Sequence, residues 1–114
     1  MAPPPRPHPN ELLQGTVDLL ILKAVSLEPM HGWGISQRIG QISRGVLEVN
    51  QGALYPALHR LEDHGWLDAE WGVSENNRRA KFYRITAAGK KQLAVETETW
   101  QRYASAVQLL LRAV

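Results

Sequence analysis

No proline or glycine interrupts the chain after Gly89, and Thr86, a good N-cap residue, stands just ahead of that stretch. One continuous helix over residues 87–114 is predicted, about 28 residues and roughly 42 Å long at 1.5 Å per residue. Along it Leu93, Thr97, Trp100, Ala104, Val107, Leu111 and Val114 follow at alternate spacings of four and three, the heptad rhythm of a helix that packs on another helix. The other helical patterns are about half as long, so one copy of the chain has too little surface to cover this seam. A second copy is the economical partner. Leu93, Trp100, Ala104, Val107 and Leu111 are the expected contacts of a homodimer.

The rest of the chain makes one small domain. At 114 residues it has room for a single modest core. It has no cysteine, which excludes disulfides and thiolate metal sites and fits a reducing compartment. No apolar run approaches the ~18 residues that cross a bilayer, and the first nine residues, MAPPPRPHP, lack the apolar region of an export signal. A cytoplasmic protein with no membrane partner is expected. Five of the seven prolines lie in residues 1–9, which reads as a disordered or polyproline-like tail.

The net charge of +2 conceals a separation. Residues 76–95 hold six basic side chains (Arg78, Arg79, Lys81, Arg84, Lys90, Lys91) and no acidic one, whereas the remainder has seven basic and eleven acidic. The total is therefore +6 on one block and −4 elsewhere, an electrostatic footprint for a polyanion.

Between tail and final helix, local patterns predict five elements. Asn10 caps a first helix with Leu13, Val17, Leu20, Ile21 and Ala24 on its buried face, ended by Pro29 and Gly32. A second helix runs from about Trp33 to Ser43 with Ile35, Ile39 and Ile42 inward. Asn50 caps a third, whose core stripe is Leu54, Ala57, Leu58 and Leu61, with Gly65 as its left-handed terminator. Gln51 and Tyr55 flank that stripe, and Gly52, Pro56, His59 and Arg60 point away from it. Period-two alternation then gives a strand with Leu67, Ala69, Trp71 and Val73 on one side. A polar turn, Ser-Glu-Asn-Asn-Arg-Arg, leads to a second strand from Ala80 to Ile85.

Helix, helix, helix, strand, strand, helix is the order of a winged helix-turn-helix, mainly α with a β-hairpin. Residues 10–86 form the DNA-binding domain in this reading and residues 87–114 the dimerisation helix. The physics suits duplex DNA: the major groove, about 12 Å wide, admits one helix, while a basic hairpin follows phosphates or enters the minor groove.

Two stretches make the reading specific. Gly-Ala-Leu-Tyr-Pro-Ala-Leu-His-Arg-Leu-Glu-Asp-His-Gly (52–65) and Arg-Arg-Ala-Lys-Phe-Tyr-Arg-Ile-Thr-Ala-Ala-Gly (78–89) resemble the recognition helix and the wing of the PadR family of bacterial transcriptional regulators. Leu-Leu-Gln-Gly-Thr-Val-Asp-Leu-Leu-Ile-Leu (12–22) and Met-His-Gly-Trp-Gly-Ile (30–35) are similar to its first two helices. The resemblance implies a homodimeric repressor on a near-palindromic operator, with the last helix swapped onto the partner's first. It implies a phosphate contact for Tyr55, a place at the groove for Gln51 and His59, and wing contacts by Arg78, Arg79 and Lys81, with Asn77 beside them. Ala53 departs from the hydroxyl residue common in relatives, so a backbone contact is missing there. The single helix after the wing implies the short type, in some of which a tryptophan matching Trp100 stacks on flat hydrophobic drugs at the dimer centre.

Blander roles stand beside these. Tyr55 can cover the edge of the core, His59 can be solvated, and Trp100 can pack at the seam without a ligand. Trp33, Trp66 and Trp71 are expected in the core. The four histidines lack the spacing of a helical zinc site, and the chain has no phosphate loop or nucleophile elbow. Glu62, Asp63, Asp68 and Glu70 are expected at exposed positions where nothing perturbs them. No metal, cofactor or catalysis is expected. The alternatives to a regulator are a winged-helix dimer that meets an acidic protein, or chiefly a drug sensor.

Overall fold

A computed structural model of the protein describes residues 14–114, in the order α1 (Gln14–Leu27), β1 (Met30–His31), α2 (Gly32–Ile42), α3 (Gln51–Asp63), β2 (Leu67–Val73), β3 (Arg79–Ile85) and α4 (Ala87–Arg112). The proline-rich tail, the Asn10 cap and the inward position of Leu13 lie outside the described residues. Val17, Ile21, Leu22 and Val25 of α1, Ile35 and Ile39 of α2, and Leu54, Ala57, Leu58 and Leu61 of α3 meet in one core. A three-stranded antiparallel sheet in the order β1-β3-β2 closes it with Leu67 and Tyr83. This is a winged helix with a long C-terminal helix.

Local chemistry sets the boundaries. The Asn50 side chain accepts a hydrogen bond from the Ala53 N–H at 2.9 Å and starts α3, which continues through Pro56. Gly65 ends it in the left-handed region at φ +77°. Thr86 holds two elements together: its hydroxyl donates to the Gly65 carbonyl at 2.6 Å and accepts from the Gly89 N–H at 3.0 Å, starting α4. Gly89 is buried there, and only glycine fits, because a Cβ would overlap the Trp66 carbonyl oxygen.

Four expectations change. The strand β1 has no counterpart in the sequence pattern; Met30 and His31 pair with Tyr83 and Phe82, and the His31 Nδ1 caps α2 one residue early by accepting from the Gly34 N–H at 3.0 Å. Ile42 is 57% exposed instead of inward, because α2 stops there and Arg44 and Gly45, both at positive φ, turn the chain away. Helix α4 ends at Arg112, two residues before Val114, for about 39 Å at 1.5 Å per residue. Trp33 and Trp71 are not core: they are 55% and 58% exposed. Along β2 the burial alternation holds only for Leu67 and Ala69 and is lost from Trp71 on, with Leu67 1% and Val73 65% exposed, because the hairpin runs past the end of the core. Trp66 does pack against the core, with its ring stacked on His64.

Helix α4 packs its first half on α1. Leu93 joins the edge of the core, and Thr97, Ala104 and Val107 are half-buried. Around and beyond them the described chain leaves apolar side chains uncovered, with Trp100, Tyr103, Leu109, Leu110 and Leu111 exposed.

Candidate nucleic-acid interface

Helix α3 is fixed from behind by its leucines and by Arg60, whose guanidinium meets Asp18 of α1 at 2.8 Å. Arg60, expected to point to solvent, bridges helices instead. With that side anchored, Gln51, Gly52, Tyr55, Pro56 and His59 are exposed on the other. The Tyr55 ring and hydroxyl lie over Gly32, where a Cβ would come within 3.1–3.3 Å of them, so the start of α2 approaches α3 closely only because residue 32 is glycine.

The hairpin supplies the opposite wall. Its turn closes when the Ser74 N–H bonds the Arg78 carbonyl at 2.8 Å and the Asn77 N–H bonds the Ser74 carbonyl at 2.9 Å. Asn77 takes the left-handed conformation, φ +56°, that its short polar side chain tolerates. Ladder register puts Trp71 opposite Lys81 and Val73 opposite Arg79, on the face that nearer the core carries Ala69 opposite Tyr83. The Arg79 guanidinium lies 4.7 Å above the centre of the Trp71 ring system. Lys81 lies 5.5 Å from the Tyr83 ring centre, and its ammonium meets the Glu62 carboxylate of α3 at 2.9 Å. That hydrogen bond holds the Lys81 pKa above the ordinary lysine value, and burial pushes the Tyr83 hydroxyl up. Glu62, expected at an exposed position, is instead half-buried and paired.

Between these walls runs an open groove of about 700 Å³. Five of the seven residues expected to face DNA line it: Tyr55 and His59 from α3, and Arg78, Arg79 and Lys81 from the hairpin. Gln51, at the start of α3, and Asn77, in the turn, are exposed outside it. Sequence reasoning missed Trp33, Trp71 and His31, which also line it. His31 also reaches the hairpin turn, with Nε2 3.8 Å from Glu75.

A second, more apolar cleft of about 470 Å³ lies between α1 and α4, with Thr16, Leu19, Val95, Glu96, Trp100 and Tyr103 among its walls. The Trp100 and Tyr103 rings are tilted against each other at 6.0 Å. Burial raises the Glu96 pKa, against a 3.3 Å hydrogen bond donated by Gln92. Among the described residues no group of three His, Asp or Glu side chains is arranged to hold a metal ion, and no helix is long and apolar enough to cross a membrane.

Comparison with known proteins extends the likeness to the whole fold. The family model described as the transcriptional regulator PadR-like family matches residues 21–95. A transcriptional regulator of Mycobacterium tuberculosis is 34% identical over 98 residues, 86% of this chain and 88% of that one. The solved structure of a transcriptional regulator from Clostridium thermocellum superposes with a TM-score of 0.78 at 27% identity, covering 87% of this chain and 96% of the other. A PadR-like transcriptional regulator from Bacillus cereus gives 0.74 at 25% identity, with coverage of 89% and 96%.

Proposed function

The chain belongs to the PadR-like family of transcriptional regulators, and from that premise we propose that it is a dimeric, sequence-specific DNA-binding regulator that acts as a repressor. The observation that carries this reading is the convergence of recognition-helix and hairpin side chains on one basic, aromatic groove. With α3 in the major groove, Gln51 and His59 face base edges, where sequence is read. The DNA strand between major and minor grooves then crosses the protein groove, and Tyr55, Arg78 and Arg79 meet its phosphates, contacts that fix register. Asn77 rides at the wing tip toward the minor groove. Lys81 enters through its tie to Glu62, which sets the hairpin against α3.

The α4 face is the homodimer contact in this reading, through Leu93, Trp100, Ala104, Val107 and Leu111 and the exposed leucines beside them. Residues 10–86 are the DNA-binding unit and residues 87–114 the dimerisation helix. A two-fold dimer reads a near-palindromic operator whose half-sites lie about 34 Å or a multiple apart. The apolar cleft with Trp100 and Tyr103 is the place for a flat hydrophobic effector, which would alter operator affinity by favouring one spacing of the two α3 helices. The protein works where its DNA is, in the cytoplasm, as a regulator and not an enzyme, and needs no cofactor.

The test is a titration of random-sequence duplex at about 50 and 200 mM salt, followed by selection of bound genomic fragments. Binding that weakens steeply with salt, and enrichment of a near-palindromic sequence, are expected. Absence of binding at both salts would favour an acidic protein as the partner.

A further inference from the structure

Two cations of the hairpin project from the same sheet face and are held in opposite ways. Lys81 is drawn back onto α3 by Glu62 at 2.9 Å. Arg79, one ladder step farther out, has no carboxylate partner among the described residues; its guanidinium carbon lies over the Trp71 ring, 4.7 Å from the ring centre, in the groove that both line. Trp71 has no packing reason for its place, since it is 58% exposed beyond the end of the core, and tryptophan is ordinarily a well-buried residue. Its neighbour Gly72 leaves room on the opposite face for the Phe82 ring, which a Cβ at that position would crowd at 3.2 Å. Phe82 thus packs on the face of the hairpin opposite Trp71, while Trp71 lines the groove.

We propose that Trp71 is a positioning residue for DNA binding: its ring holds the Arg79 guanidinium over the groove so that one arginine of the wing meets the DNA already ordered. An aromatic face attracts a guanidinium without using any of its five N–H donors, so a stacked arginine keeps its whole hydrogen-bonding edge for phosphate or base. It also restricts a side chain whose rotamer freedom would otherwise be lost on binding. Arg78 is exposed, and among the described residues only its backbone is hydrogen-bonded, to Ser74, so its guanidinium lacks this platform. The two adjacent arginines therefore differ: Arg79 is pre-arranged and Arg78 is ordered only on the DNA.

This inference rests on the DNA-binding reading, and a double-mutant cycle keeps their failures apart. The probe is a random-sequence duplex of about thirty base pairs, titrated at about 50 and 200 mM salt with wild type, Trp71→Leu, Trp71→Phe, Arg79→Gln and the variant that combines Trp71→Leu with Arg79→Gln. Arg79→Gln is expected to lower the salt slope by about one. Trp71→Leu is expected to weaken binding about two- to five-fold when Arg79 is present and not at all when it is combined with Arg79→Gln, with Trp71→Phe recovering most of the loss. Losses that add independently, or a Trp71→Leu protein that binds as wild type while Arg79→Gln does not, would overturn the positioning role alone. If Arg79→Gln binds as wild type at both salts, the wing reading falls and the role of Trp71 falls with it. Trp71→Phe keeps the test open should the leucine variant melt early.

Discussion

The groove between α3 and the hairpin and the outer face of α4 both expose aromatic rings that a lone domain would be expected to bury. In the groove, Trp33, Tyr55 and Trp71 are interleaved with Arg78, Arg79 and Lys81. On α4, Trp100 and Tyr103 continue into Leu109, Leu110 and Leu111, the last three 70–79% exposed. Exposure is similar and the neighbours are not. Rings among cations fit a partner that is itself charged and flat-faced, whereas rings among leucines fit a surface that is apolar in turn. An exposed aromatic residue thus signals a partner, and the residues one step away on its ladder or helix say which kind.

The largest effect should come from spoiling the α4 face. Val107→Asp with Leu111→Asp puts charges on the seam, and a protein of half the wild-type mass is expected in sedimentation. Because two linked half-sites bind far more tightly than one, operator affinity should fall by about 10²-fold or more. A wild-type protein that already sediments as a monomer would erase the distinction between the two surfaces. Next comes the charge in the groove: Arg78→Gln with Arg79→Gln should reduce the salt slope by about two and weaken all duplexes alike, while Gln51→Ala should change sequence preference at unchanged slope. A double arginine variant with the wild-type slope would move the DNA to another face.

Lys81 divides the groove cations more finely. Its ammonium is committed to Glu62. Glu62→Gln removes the carboxylate that holds Lys81 back and releases that ammonium to the groove, so random duplex should bind a few-fold more tightly with a slope steeper by about one. An unchanged slope would mean that Lys81 leaves Glu62 for phosphate in the complex anyway.

Much of this is legible in the sequence, for local reasons. Caps at Asn50 and Thr86, the terminator Gly65 and the left-handed Asn77 are decided by a residue and its near neighbours, and the fold uses each of them in that way. The strand β1 is not legible because two residues carry no period; only Tyr83 and Phe82, some fifty positions on, make Met30 and His31 a strand. Alternation shows which face of the hairpin Trp71 shares with Leu67, but not how far the core extends beneath that face. The Asp18–Arg60 and Glu62–Lys81 pairs span 42 and 19 residues and leave no local pattern. The groove is therefore half visible: its cations come from composition, and its tryptophans and the tie on Lys81 come from the fold.

The smallest effect lies at the edge of the apolar side, where Glu96 sits between Gln92 and the Trp100 cleft. Burial raises its pKa, with Asp18 adding to the rise. A raised carboxyl pKa means that the folded chain holds the proton more tightly than the unfolded one, so folding carries a penalty that is full above the folded pKa and vanishes below the unfolded value, about 4.3. Glu96→Gln should therefore stabilise the protein at neutral pH, by less than about 1 kcal/mol because the residue is only partly buried. That gain should shrink as the pH is lowered through the Glu96 pKa. Melting curves of the two proteins from pH 7 to about pH 4 check this, and parallel curves would show that Glu96 ionises as freely in the fold as out of it. Repeated with the Val107→Asp, Leu111→Asp protein, the same pair of curves should converge at a lower pH if a second copy normally covers the cleft, because water returned to Glu96 brings its pKa back toward the ordinary value.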